Sequence, residues 1–155
     1  MSKSDQSLLG GRNTRPLTDR EITQVIRYFY AFDRAANVRY EADSATLFRP
    51  KNDEDEYDHE IVFGPDIFPG NAVNDPNSLL GVRGAVAHEL AHKFRHSDLT
   101  EINEPELTHL DEALTSLSAI LRFHDDLDPH EIRQLISDAV HRLQSYVREV
   151  RAGDD

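Results

Sequence analysis

Hydrophobic residues keep a helical spacing along most of this chain and change to a different spacing in one short stretch, and that change of period limits how the chain can pack. In residues 18–36, Ile22, Val25, Ile26, Tyr28, Phe29 and Phe32 recur at the spacing of one helix face. Thr18 followed three residues later by Glu21 is a capping-box start for that helix. NVRYEAD (37–43) and ATLFRP (45–50) are partly alternating and rich in Val, Tyr, Thr and Phe, which predicts two strands joined by a turn near Asp43 and Ser44. HEIVFGPDIF (59–68) predicts a third strand that Gly64-Pro65 ends or interrupts, the proline favouring a sheet edge.

Helical spacing returns at residue 78 and persists to the end. In 78–96, Leu79, Val82, Val86, Leu90 and Phe94 share one stripe, while His88, His92 and His96 occupy another. Gly81 and Gly84 weaken this helix locally, either permitting close packing or delaying its start. In 108–124 the inward residues are expected to be Leu110, Ala113, Leu114, Leu117, Ile120 and Leu121. In 128–152, Asp128 is a cap with Pro129 at the first helical position, and an apolar stripe runs from Ile132 and Leu135 through Ile136, Val140 and Leu143 to Val147 and Val150. The order is one helix, about three strands, then three helices, an α+β layout with the strands segregated.

A length of 155 residues suits one core and one domain, read here as 17–155 behind a flexible arm at 1–16. The formal net charge of -12, with no cluster of Lys and Arg, repels phosphate backbones and anionic membranes, so neither nucleic acid nor membrane is an expected partner. KNDEDEYD (51–58) reads as a solvated acidic loop. The chain has no cysteine, so any metal must be held by His, Asp, Glu or backbone. The first residues lack the apolar core of a signal peptide and no run is long enough to span a bilayer, which makes a cytoplasmic location the expectation, export by a dedicated secretion system aside.

The chemistry concentrates in AVAHELAHKFRHSD (85–98). Residues four apart on a helix share a face, so His88 and His92 can both reach one cation. Glu89 then projects beside that ion, where a carboxylate can take a proton from a water whose pKa zinc lowers toward about 7 and later return it to a departing amine. With 8 histidines among 155 residues, a shuffled chain would contain His-Glu-x-x-His about 0.03 times. A catalytic zinc needs a third protein ligand. Glu112 is the leading candidate, because a helix, a turn and an antiparallel helix can return it to the histidine face across the 19 residues that separate it from His92. Asp98, ten residues after His88, occupies the third-ligand position of the metzincin pattern, although Arg95 stands where that pattern needs glycine. His109, one turn before Glu112, and His96, two turns after His88, complete the candidates.

HELAH followed after 19 residues by the glutamate of LDEALTS resembles the gluzincin zinc metallopeptidases, with the spacing of the thermolysin group. The resemblance covers about residues 18–125 and is closest to the single-domain minigluzincins. It implies zinc as cofactor, His88, His92 and Glu112 as its ligands, Glu89 as general base, and an endopeptidase acting on peptide or protein substrates. It also implies a small sheet whose edge strand binds substrate backbone over the cleft. In that clan an Asp four residues after the glutamate often orients the first histidine. Here Ser116 stands in that place, so the support is either weaker or comes from another residue such as Asp111. No motif transfers the family's oxyanion-stabilising His or Tyr, for which Tyr146, His124, His130 and His141 are available.

If Glu60–Phe63 is the edge strand, a peptide would add to it by β-augmentation, and the loop 64–77 could form one wall of the cleft. Two other functions compete with an endopeptidase. One is a non-catalytic interaction module in which zinc, or packing alone, holds two helices, although such a site has no need of Glu89. The other is a metal-dependent RNA hydrolase with histidines at i, i+4 and i+10, against which stand Asp98 at the tenth position and the absence of a basic groove.

Overall fold

The computed structural model describes residues 8, 11–50, 59–70 and 80–153. The acidic loop 51–58 and the stretch 71–79, including half of the expected cleft wall, lie outside the described residues, as do 1–7, 9 and 10 of the expected arm. The rest is α+β: helix α1 (Asp19–Phe32), strands β1 (Val38–Tyr40), β2 (Leu47–Arg49) and β3 (Glu60–Phe63), then α2 (Val82–Ser97), α3 (Thr108–Phe123) and α4 (Pro129–Gly153). No described helix is long and apolar enough to cross a membrane.

The capping box forms as expected, with the Glu21 N–H donating to Thr18 Oγ1 at 3.2 Å and the Thr18 N–H to Glu21 Oε1 at 2.9 Å. The helix stops at Phe32, four residues before the expected end. Asp33 stops it by turning its side chain to accept the Ala35 N–H at 3.0 Å, a local bond that competes with continued helix.

The sheet order is β1-β3-β2, with β1 parallel and β2 antiparallel to β3. One expectation is corrected here. β1 and β2 are joined by the turn at Asp43-Ser44 as expected but lie on either side of β3, and Glu60–Phe63 is therefore the central strand rather than an edge. Ile61, Val62 and Phe63 are consecutive and all buried, as a strand covered on both faces requires. Pro65 follows the last paired residue, so it removes no hydrogen bond from the ladder. Gly64 ends the strand because the Asp43-Ser44 turn crosses it: a Cβ there would lie 1.7 Å from the Ser44 carbonyl oxygen.

The described part of the arm is anchored. Arg12 donates to the carbonyls of Asp66 (2.9 Å), Ile67 (2.9 Å) and Leu80 (2.5 Å), tying the exit of the sheet to the approach to α2. Helix α2 begins at Val82 with Gly81 as its N-cap, and Gly84 lets Leu80 lie where a Cβ would come within 2.8 Å of its side chain. Every residue from Gly84 to His92 is buried, so the histidine face is not a solvent face. The hydrophobic core gathers Val25, Phe29, Ile61, Phe63, Leu90 and Leu135 from α1, the sheet, α2 and α4.

Helix α3 reverses part of its expected orientation. Leu114, Leu117 and Leu121 are exposed, and the buried face instead carries Asp111, Glu112, Thr115 and Ser116 with Ala113 and Ala119. Likewise α4 buries Leu135, Asp138, Ala139 and Arg142 and leaves Ile136, Val140, Val147 and Val150 exposed. The physical reason is that α2 presents His88, His92 and Arg95 to these helices, and buried polar groups must find polar partners.

Candidate metal centre

His88 and His92 stand one turn apart on α2, their ring centroids 4.9 Å apart and the planes at 85°. Helix α3 runs antiparallel to α2 and sets Glu112 Oε2 at 2.9 Å from the Nε2 atoms of both histidines. Their candidate ligand atoms all lie within 4.8 Å of one another, and among the described residues this is the one group of three or more His, Asp or Glu side chains able to hold a metal ion. All three residues are buried.

The other candidates for third ligand are engaged elsewhere. His96 Nδ1 meets Glu101 Oε1 at 2.5 Å and its ring packs on Phe48 and His59. His109 Nε2 pairs with Glu149 at 3.1 Å, and Asp98 accepts from Arg122 at 2.8 Å. The contact of Phe48 with His96 also places the edge strand β2 against α2. The edge beside the histidine helix is therefore Leu47–Arg49.

A buried chain of hydrogen bonds supports His88 from behind. Ser116 donates its hydroxyl proton to Asp138 Oδ2 at 2.5 Å, and Asp138 also accepts from Arg142 Nε at 2.8 Å. The hydroxyl proton being so used, the Ser116 oxygen accepts from the His88 Nδ1–H at 2.8 Å. This tautomer leaves the Nε2 lone pair facing Glu112 Oε2, and two lone-pair atoms 2.9 Å apart need a cation or a proton between them. Ser116 thus carries the influence of a carboxylate located on α4. Asp111, expected as a possible support for His88, instead accepts from Arg95 at 2.8 Å and from the Ile102 N–H at 2.8 Å. Arg95 also reaches Thr115 Oγ1 at 2.7 Å and the Thr100 carbonyl at 2.6 Å, locking α2 to α3 and to the linker between them.

The charges point the same way. Among the described residues, Glu89, Asp111, Glu112 and Asp138 are buried with Arg95 and Arg142, so four carboxyl groups share two guanidinium groups. Arg142 Nη1 lies 3.5 Å from Glu112 Oε2. Burial disfavours ionised Glu112, but the neighbouring His92, the close contacts with both histidines and Arg142 outweigh it and hold the carboxyl well below its usual range. Burial likewise opposes charge on Asp138, and Arg142 with His88 outweighs it, lowering its pKa. Burial pushes the His88 pKa down, with Glu112 only partly opposing. Burial acts on His92 in the same sense, but the charge of Glu112, its hydrogen bond and Glu89 win, and the His92 pKa is raised. A site that raises the pKa of one imidazole and keeps Glu112 and Asp138 ionised is suited to positive charge.

Glu89 is fully buried next to His88, close enough to act electrostatically on His92 and Arg142. His124 and His130 are exposed and make local contacts with Leu121 and Gln134. Among the described residues, none of His124, His130, His141 and Tyr146 bonds to His88, His92 or Glu112. The roles of Asp138 and Arg142 were not foreseen. Their signal in the sequence is a charged i, i+4 pair set among Leu135 and Ala139 on the stripe that α4 buries.

No protein-family model matches the chain, and neither a curated protein nor a solved structure matches it.

Proposed function

We propose that the chain is a zinc-dependent peptide hydrolase. The observation that carries this reading is the convergence of three ligand atoms, with Glu112 Oε2 at 2.9 Å from both His88 Nε2 and His92 Nε2 and all three within 4.8 Å of one another, next to the buried Glu89. Two donors each 2.0–2.1 Å from a tetrahedral zinc are about 3.3 Å apart, so a small outward adjustment fits the group to the ion. Two imidazoles and one carboxylate, with no thiolate, form a catalytic-type donor set. Zinc bound there would supply Lewis acidity and a water acidified toward about pKa 7.

The chain's own residues do the rest. Asp138, through Ser116, holds His88 in the Nδ1–H tautomer, and Arg142 keeps Glu112 ionised and in place. Glu89 accepts a proton from the attacking water as its oxygen bonds to the peptide carbonyl carbon. When the C–N bond breaks, the same carboxyl passes the proton to the departing amine, which regenerates the carboxylate. A substrate strand would pair with the edge of β2, which lies against α2.

Metal content and hydrolysis of a mixed peptide library test the reading together. Wild type is expected to hold one zinc and cleave, Glu89→Gln to hold zinc without cleaving, and Glu112→Ala to lose the metal. The burial of His88, Glu89 and Glu112 favours a second reading, a closed site in which zinc only joins α2 to α3. Stoichiometric zinc with no cleavage of any peptide, and Glu89→Gln unchanged in stability, would select that one.

A further inference from the structure

Seven of the nine large hydrophobic side chains exposed among the described residues lie on α3 and α4. Leu110, Leu114, Leu117 and Leu121 advance along α3 in steps of four, three and four. Ile136, Val140, Leu143 and Val147 advance along α4 in the same steps. This 3.5-residue period marks a seam between helices rather than a scatter of surface side chains. At about 100° per residue, the α3 leucines lie roughly opposite Glu112, Ser116 and Ala119, on the side away from α2.

The two seams are also level with each other. The contacts Ser116–Asp138 and His109–Glu149 show that α3 and α4 run antiparallel and fix their offset. At that offset Leu121 stands level with Ile136, Leu117 with Val140, Leu114 with Leu143 and Leu110 with Val147. Each level offers two apolar side chains, half of one layer in a four-helix bundle.

We propose that a second copy of this chain covers this face, its α3 lying on α4 and its α4 on α3, about a two-fold axis parallel to the helices. The flanking charges select this occupant and arrangement. Exposed Arg151 and Arg133 stand near the two ends of the α4 seam, and exposed Glu106 just precedes α3 and exposed Asp125 just follows it, so each arginine approaches a carboxylate of the second copy. Antiparallel stacking of α4 on α4 would instead bring Arg133 toward Arg151 of the other copy. In the chosen arrangement every helix is antiparallel to both its neighbours. The size is adequate: with α3 of 16 residues and α4 of 25 residues, the face is roughly 20 Å wide and about 24–37 Å long. That is on the order of 500–700 Å² in projection before side-chain relief, near the ~800 Å² per partner of a standard interface.

Sedimentation velocity on the full chain at about 10 and about 100 μM, at physiological salt, tests this independently of the metal reading. Wild type is expected to sediment as a dimer. Leu117→Glu combined with Val140→Glu is expected to be monomeric with unchanged circular dichroism and unchanged zinc content, both positions being exposed. A wild-type monomer at both concentrations, or a double variant that still dimerises, overturns the proposal. Because the chain has no cysteine, single variants Leu117→Cys and Val140→Cys read the arrangement under oxidation even if the glutamate variant fails to fold. Mixed, they are expected to form the 117–140 disulfide between copies. Val140→Cys alone pairing with itself would mean α4 on α4 and would refute the arrangement, and no disulfide at all would mean that another partner covers the face.

Discussion

Ser116→Ala isolates the buried relay better than any other single change. It removes one oxygen from a fully buried position and leaves Asp138 bonded to Arg142 at 2.8 Å, so the fold keeps its internal ion pair. What is lost is the 2.8 Å acceptor of the His88 Nδ1–H. In the metal-free protein the imidazole can move its proton to Nε2 and donate to Glu112, so the penalty falls mainly on the metal-loaded state. An unsatisfied buried N–H costs about 1–3 kcal/mol, and loss of a histidine-orienting partner typically weakens metal affinity about 10–100-fold, equivalent to about 1.4–2.8 kcal/mol. The two routes agree, and we expect zinc affinity to fall by about one to two orders of magnitude. Competition titration against a chromophoric chelator measures it, with circular dichroism as a control for folding. Affinity within twofold of wild type, in a folded variant, would show that Ser116 and Asp138 do not orient His88.

Arg142→Met leaves Glu112 and Asp138 without their shared cation and should destabilise the metal-free protein by about 3–5 kcal/mol in chemical denaturation, less once zinc is bound. Acid should unfold the metal-free protein through Asp138. Its folded pKa is depressed, so the unfolded chain binds more protons in the window, and the stability it contributes above about pH 4 is lost as pH falls toward the folded value. Asp138→Asn should show a shallower loss in denaturation curves between pH 5 and 3, roughly, and an unchanged slope would refute the assignment. Gly64→Ala places a Cβ 1.7 Å from the Ser44 carbonyl oxygen and should cost more than the ~1–3 kcal/mol usual for overpacking, read as a large drop in thermal midpoint or failure to fold.

The parts of the fold and site that were legible in the sequence share one property, namely that the deciding information is local. The capping box at Thr18 and Glu21 is three residues long, and the return of Glu112 to His88 and His92 needs only one helical hairpin. The strand order was not legible, because a proline just past the paired residues says nothing about whether Ile61, Val62 and Phe63 have a neighbour on each side. The inward face of α3 was misread for a different reason. Counting apolar residues assigns Leu114, Leu117 and Leu121 to the core, whereas Arg95 and the two histidines of α2 required Asp111, Glu112, Thr115 and Ser116 there. Asp138 was out of reach of spacing arguments because it acts on His88 through an intervening hydroxyl from another helix.

Arg12 has a consequence beyond anchoring the arm. Its guanidinium holds the carbonyls of Asp66 and Ile67 on one side and of Leu80 on the other, while Gly11 and Gly70 approach so closely that a Cβ on Gly70 would lie 1.8 Å from the Gly11 oxygen. The segment that connects Gly70 to Leu80 therefore departs from and arrives at two points that a third piece of chain has already fixed. Inserts of different length or composition between those points would leave α2, which carries His88 and His92, in register. That separation turns the connection into a site for grafting, where sequence can be exchanged without rebuilding the cluster of His88, His92 and Glu112.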